Sequence, residues 1–394
     1  MANSLVTNKH VKLFAAAVED ACPYLAESQN MFPDAFTGKK NGQTVMAVLT
    51  DRGTITSGID ITGNVGEVKQ VEVPVVLANK TANVGLDIIE RSTGIEDFVT
   101  EVAEPNGRAL AEAVQKDVID ANIWTASGAV VTNDPDFGTL SAAAALLKNV
   151  KAGGKLVGFL NPTDGGLIAA SGLGLFQAAN AGAQKLYSEN LLGAYAGVNW
   201  VNLPDLPTIV AGTATIAGTV TTAVTEGGDE IAITGTFTNN STVKKGSIFK
   251  IAGVKTVNLN GTATNEDKMF VVLEDASTTT SAVTLKVKPI FASGAGKNVS
   301  ALPAKDAVVS SPLTAGKTYS IGQVRDKDAL IFGQYSFSRM EDLLQETAKA
   351  GKFSVTMTKG SDVLKMSTVY RFDFPYAAKI ADERLVRNIY IQLD

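Results

Sequence analysis

The chain has 394 residues, 45% of them apolar and 19% charged, enough for two or three cores at about 100–200 residues per domain. Its formal charge of −5 argues against a surface built to grip nucleic acid, which needs a strong basic excess. One cysteine, Cys22, excludes an intrachain disulfide, and one histidine, His10, excludes a zinc site made of several His and Cys ligands. Glu19 and Asp20 fall where a cleaved secretory leader needs its apolar stretch. No apolar run approaches the ~20 residues of a membrane span, so a soluble protein is expected.

Residues 4–28 predict an amphipathic helix, because Val11, Phe14, Val18, Cys22 and Leu25 recur at helical spacing. On that stripe Cys22 reads as a buried small apolar residue rather than a nucleophile. His10 reads as an ordinary exposed side chain. A Ser-His-Asp triad would have to use it, in a terminal helix where clefts are rarely built. After the breaker-rich NMFPDAFTGKKNG, alternating stretches at 43–49 and 67–77 flank a middle holding Gly53, Gly58, Gly63 and Gly66. That pattern predicts a mobile, extended hairpin reaching out to touch something else.

Thr93 and Glu96 fit a capping box at the next helix start. Pro105 suits the first turn of a longer helix carrying Leu110, Val114 and Val118 on one face and running to Trp124, roughly 30 Å long. TLSAAAALLKNV predicts a helix after a turn at Gly138, GKLVGFLNP a short strand, and DGGLIAASGLGLFQAAN a small-residue helix or loop. The segment 139–211 thus alternates helix and strand.

At about Gly212 the composition changes. Residues 212–317 are rich in Thr, Val and Gly, and all eight arginines lie outside them. GDEIAITGTFTNN, GSIFKIAGVKTVNLN, KMFVVLED and SAVTLKVKPIF read as strands separated by turn clusters, which suggests a small antiparallel barrel or sandwich. Within this segment TVKKGSIFKIAGVKTVN reads as three short strands with a Lys-Lys-Gly turn and a second turn at Gly253. From Tyr319 onward arginine and aromatics return in strand-like stretches. The organisation is a mixed helix–strand host, α+β in class, with a β domain inserted into it.

No chemistry-bearing constellation survives inspection. SPLTAGKT ends like a phosphate-binding loop, but Ser311 stands where that motif needs its first glycine. DPDFG matches the start of a calcium loop, but Ala145 occupies the position of the closing glutamate, so a turn is the better reading. GLGLFQ lacks the third glycine of a dinucleotide fingerprint. Glu226, Asp229 and Glu230 read as a solvated hairpin tip, not a paired-carboxylate site. The expectation is no catalytic residue, no cofactor and no metal.

The order of parts, with the stretches GFLNPTDGGLIAAS, LPDLPTIVAGTATIAGTV and VKKGSIFKIAGVKTVN, resembles the major capsid proteins of tailed phages and herpesviruses. Within that group it resembles the coat proteins of short-tailed phages that carry an inserted I-domain, a six-stranded barrel. The resemblance implies an N-arm at 1–36, an E-loop with flanking strands at 37–90, and a P-domain with its spine helix at 91–138. It further implies an A-domain beginning at 139–211, the I-domain at 212–318, and a return through the A- and P-domains at 319–394. Gly246 and the run Ala252, Gly253, Val254 and Lys255 match the insert's signature. The stretch between Val220 and Ile231 is short, so a loop used by such coats across two-fold contacts is reduced.

The resemblance implies self-assembly into hexamers and pentamers of an icosahedral shell, without catalysis. It also implies a separate scaffolding protein, a portal, and double-stranded DNA enclosed without sequence-specific binding. The shell would be the virion capsid, assembled in the host bacterial cytoplasm, with no membrane partner. Asp51, Arg52, Glu67 and Lys69, near the hairpin's tip and flanks, are candidate intersubunit contacts, each worth about 0–1 kcal/mol if exposed. A tail or decoration protein, a β-rich surface-array protein and, third, a hydrolase are the alternatives. The Ala-rich helices disfavour the first two, and the missing catalytic motif disfavours the last.

Overall fold

The computed structural model describes residues 2–30, 44–50, 52, 70–87, 102–172, 193–294, 296–335, 344–362 and 367–393. The chain divides into two compact units, one formed by Met1–Met46, Pro74–Ile119 and Ile331–Lys379, the other by Ala47–Val73, Asp120–Leu330 and Ile380–Asp394. The capping box at Thr93 and Glu96 and the glycines at 53, 58, 63 and 66 lie outside the described residues.

In the first unit the expected stripe is buried, with Val11, Phe14, Val18, Cys22 and Leu25 all fully so. The helix expected over 4–28 is nevertheless broken: it runs Ala2–Ala21, Cys22 leaves helical geometry, and Pro23–Ala26 forms a separate turn. Pro23 cannot supply the amide that continuing the helix needs. Phe14 stacks on Phe372 with ring centroids 4.0 Å apart. Phe372 belongs to the long strand Ser367–Ile380, which lies between Ala78–Asp87 and Phe353–Asp362 in a six-stranded sheet. The Cys22 thiol donates to the carbonyl of Ala111 at 3.4 Å, on the helix Glu104–Asn122. Leu110, Val114 and Val118 are buried along that helix, as their spacing requires. It stops two residues before Trp124 because the chain turns at Asn122, whose side-chain carbonyl accepts from the amide of Ile380.

The hairpin flanks are Thr44–Thr50 and Gln70–Val76, which pair as a two-stranded sheet. Met46, Val48 and Val76 on them are about half exposed or more.

The second unit contains a seven-stranded mixed sheet in the order Gly128–Thr132, Val386–Gln392, Thr318–Asp326, Leu156–Leu160, Val198–Asn202, Gly193–Tyr195, with Thr208–Val210 also paired to Thr318–Asp326. Leu156–Leu160 and Val198–Asn202 run parallel, and the helix Pro162–Gly172 follows the first of them. The helix Phe137–Asn149 lays Phe137, Leu140, Ala143, Ala144 and Leu147 on a core shared with Trp200, Val324, Ile389 and Ile391. Its start differs from the sequence reading. Asp136 caps it, accepting from the Thr139 amide at 2.7 Å while the Asp136 amide donates to the Thr139 hydroxyl, so Gly138 sits inside the first turn.

The strands Ala217–Val220, Glu230–Thr234, Ala282–Lys288, Ala263–Val272, Ile248–Val257 and Val308–Ser310 close into a barrel in that order. Their inward residues alternate and meet in cross-strand pairs such as Ile231–Leu285 and Ile233–Val283. Phe270 fills the centre, 5.8 Å from Phe249 and 4.6 Å from Phe291 between ring centroids. Residues 248–257 form one ten-residue strand, not two strands joined by a turn. Gly253, at φ +83°, takes up a bulge where the register shifts between Lys250 and Lys255.

Because the barrel closes around its own apolar core, residues 208–320 expressed alone should give a dispersed amide spectrum and one cooperative urea transition. In that fragment Phe270→Ala should lower stability by about 3–5 kcal/mol. A collapsed spectrum typical of a disordered chain would refute the claim.

Candidate functional site

The barrel meets the sheet through charge. Ala263–Val272 lies beside the edge strand Gly128–Thr132, and the Met269 amide donates to the Ser127 carbonyl at 3.3 Å. Glu266 on that barrel strand accepts two hydrogen bonds from Arg387, each 2.9 Å long, through Nε and Nη2. Arg387 lies on Val386–Gln392 and is fully buried, and its Nη1 donates to the carbonyls of Arg384 and Val386. Arg384, itself buried, forks onto Asp382 and reaches the Lys297 carbonyl of the barrel. Such two-point forks fix direction as well as distance.

Lys268 occupies the middle of this cluster with no solvent exposure. Its ammonium donates to the Ser127 hydroxyl at 2.8 Å and stands 3.6 Å from Glu383. Burial pulls the ammonium down to about 8, with the neighbouring Glu383 charge opposing that shift and Arg387 adding to it. Burial likewise pushes the Glu383 carboxyl up, against the favourable Lys268 charge and a hydrogen bond from Asn298. Gly128 is required where the paired side chains cross the edge strand, since a Cβ there would stand 2.1 Å from the Glu266 carboxylate and 2.9 Å from Arg387.

A second contact uses Gly246, in the Lys-Lys-Gly turn. Its φ is +88°, and a Cβ would lie 2.6 Å from the Trp124 ring and 2.9 Å from Ile209. The buried Tyr390 hydroxyl donates to the Gly246 carbonyl at 3.0 Å, and burial raises the Tyr390 phenol well above its ordinary range. Beside this contact an open cleft of about 640 Å³ is lined by Trp124, Pro207, Ile209, Lys244, Lys245 and Asp275. Lys245 lies over the Trp124 ring and Lys244 pairs with Asp275 at 2.5 Å.

The residues singled out by sequence divide between these places. Gly246 joins the junction. Ala252 and Gly253 are exposed on the barrel's outside, Val254 points into its core, and Lys255 meets Asp267 at 2.5 Å. That lysine and Lys250 hold the Asp267 carboxyl below its usual range through their hydrogen bonds. Arg52 is exposed and donates to Asn260, a barrel residue of its own chain, at 3.4 Å; Asp51, Glu67 and Lys69 lie outside the described residues. Glu226 caps the loop at Ser293 and Gly294, which lowers its carboxyl, while Asp229 and Glu230 are both exposed. In SPLTAGKT, Gly316 forms a turn whose amide donates to Ala211 and Gly212 carbonyls. Among the described residues no group of three or more His, Cys, Asp or Glu could hold a metal, and no helix is long and apolar enough to cross a membrane.

Sequence reading missed Lys268, Glu266, Arg384 and Arg387. The available signal was charge inside strand-like stretches, NEDKMFVV and ADERLVRNIYIQ, where a solvated face was the default interpretation.

No protein-family model matches the chain, and no curated protein matches it in sequence. Solved structures similar to it include the capsid of Ralstonia phage GP4, with 93% of this chain and 87% of that one covered at 9% identity and a TM-score of 0.49. The acidic stable capsid of Helicobacter pylori bacteriophage KHP30 covers 95% and 92% at 9% identity, TM-score 0.48. The capsid of cyanophage P-SCSP1u covers 93% and 86% at 11% identity, TM-score 0.46.

The two signature glycines should respond differently to alanine. At Gly253 no atom stands within 4 Å of a new Cβ, so Gly253→Ala should cost only the left-handed backbone penalty of about 1–2 kcal/mol. Gly246→Ala adds a collision with Trp124 and should cost about 1–3 kcal/mol more, read as a lower urea midpoint of the full chain. Equal midpoints would contradict the junction role.

Proposed function

We propose that the chain is the major capsid protein of a tailed bacteriophage, assembling with copies of itself into the icosahedral shell around double-stranded DNA. The observation that carries this reading is the closed six-stranded barrel of 217–310, inserted between Thr208–Val210 and Thr318–Asp326 of a mixed sheet. An N-terminal helix, a strand pair and a long helix precede it in the chain and further strands follow it, in the order that the capsid resemblance implies. The barrel supports a bracing role: it has its own apolar core, and it meets the sheet through a charged cluster and through Gly246 packed on Trp124 and Ile209.

The strand pair Thr44–Thr50 and Gln70–Val76 supports self-association. Met46, Val48 and Val76 are apolar and exposed on it, and exposed apolar strands are surfaces for another chain. Shell subunits gain stability by repeating many weak contacts, so hexamers and pentamers need no single strong bridge. The candidate contacts Asp51, Arg52, Glu67 and Lys69 lie beside that strand pair in sequence and are proposed as further intersubunit contacts. A scaffolding protein and a portal complete the proposed set of partners. The net charge of −5 suits a container that holds DNA without sequence-specific grip and releases it. Assembly would take place in the host bacterial cytoplasm, and the reading assigns the chain no catalytic step.

Electron microscopy of the protein, expressed alone and with its scaffolding protein, should reveal closed shells several hundred ångströms across (on the order of many subunits per particle). Met46→Asp combined with Val48→Asp should abolish them while leaving the circular dichroism spectrum unchanged. Uniform monomers in both preparations would overturn the reading.

A further inference from the structure

The barrel is tied to the sheet at one corner. Its incoming and outgoing connections run side by side, with the Ala211 amide donating to the Lys317 carbonyl at 2.8 Å and the Gly316 amide to the Ala211 carbonyl at 3.2 Å. At this corner Gly246 also packs on Trp124 and Ile209 and accepts from the Tyr390 hydroxyl. Away from it the barrel is held by the Leu259 amide, which donates to the Val150 carbonyl, and by the charged cluster, an uneasy contact. Glu266, Asp382 and Glu383 oppose Lys268, Arg384 and Arg387, so the charges balance. Lys268 nevertheless has three donors, zero exposure, one hydrogen bond to Ser127 at 2.8 Å, and a carboxylate 3.6 Å away, beyond hydrogen-bond reach. Buried pairs of this quality seldom offset their desolvation.

Opening the charged contact would hydrate charge and leave the barrel's core intact, because Phe249, Phe270 and Phe291 face the barrel's own interior, while the apolar contact of Gly246 with Trp124 and Ile209 stays at the hinge corner. We propose that the barrel docks reversibly, with the paired connections as hinge and the charged cluster as latch, lifting from the sheet while both remain folded. This holds whether or not the chain builds a shell.

Proton linkage gives the latch a sign. Docked, Lys268 titrates at about 8 instead of its ordinary 10.5, so between those values the released form binds more protons and rising pH favours docking. Glu383, raised by burial, takes up its proton more readily when docked, so acid favours docking as well. Rising pH through the Lys268 range therefore strengthens the contact, and protonation of Glu383 strengthens it on the acid side. The other charged groups facing Lys268 are Glu266, Asp382, Arg384 and Arg387; the first two are carboxylates, and the arginines stay charged throughout.

Two adjacent amides separate opening from unfolding. Met269 donates across the junction to Ser127, whereas Phe270 is paired with Phe249 inside the barrel. In hydrogen exchange of the full chain at pH 7, Met269 should exchange at least tenfold faster than Phe270 after correction for intrinsic rates. The ratio should narrow as pH rises from 7 to 9, because base catalysis cancels between neighbours. Lys268→Met combined with Glu383→Leu should narrow it at pH 7. Equal rates in the wild-type protein would overturn the proposal without any variant. A ratio that ignores pH, or one that the double substitution leaves unchanged or widens, would overturn it too.

Discussion

Arg387 and Glu266 meet through two parallel hydrogen bonds in a place almost without water, and the barrel's position on the sheet follows from that pairing. A guanidinium and a carboxylate engaged at two points tolerate little rotation. Their geometry forces the rest of the junction. Gly128 leaves room for the side chains to cross the edge strand. Arg384 is turned by Asp382 so that its guanidinium reaches the barrel's Lys297 carbonyl, and Lys268 completes the balance of charge. Apolar burial builds each core, and buried charge decides how the barrel sits on the sheet.

That arrangement also resolves a problem of sheet edges. Gly128–Thr132 is the terminal strand of its sheet, and an uncovered edge invites pairing with another chain. The barrel strand Ala263–Val272 lies along it and takes up the Ser127 carbonyl. On the proposed reading, a chain that associates with many copies of itself must confine association to chosen surfaces. The apolar strand pair near Met46 and Val48, half exposed or more, is then a surface suited to contact. On that reading the insert would brace the subunit and occupy the Ser127 end of this edge.

Much of the fold was legible because it depends on local periodicity. The stripe from Val11 to Leu25, the face of Leu110, Val114 and Val118, and the turn-punctuated strands after Gly212 follow rules of spacing that need no tertiary knowledge. Two of the differences of detail have the same origin, a glycine taken as a break. Gly138 sits within a helix because Asp136 supplies the cap, and Gly253 bends a continuous strand because its partner shifts register. The junction was hidden for a different reason. Glu266 and Arg387 are 121 positions apart, and nothing in NEDKMFVV says which of its charges meets water. Gly246 was selected by resemblance, but its collision with Trp124 depends on two segments brought together only by folding.

The central claim, that buried charge fixes the barrel on the sheet, is tested most directly by a double-mutant cycle between Glu266 and Arg387 in the full chain. Glu266→Gln, Arg387→Met and the double variant would be compared by urea denaturation. The account predicts that each single change is costly and that the pair is strongly non-additive, with a coupling energy of at least about 1–3 kcal/mol. Additive effects, within about 0.5 kcal/mol, would mean that the two side chains are neighbours without consequence and that the barrel is held by something else.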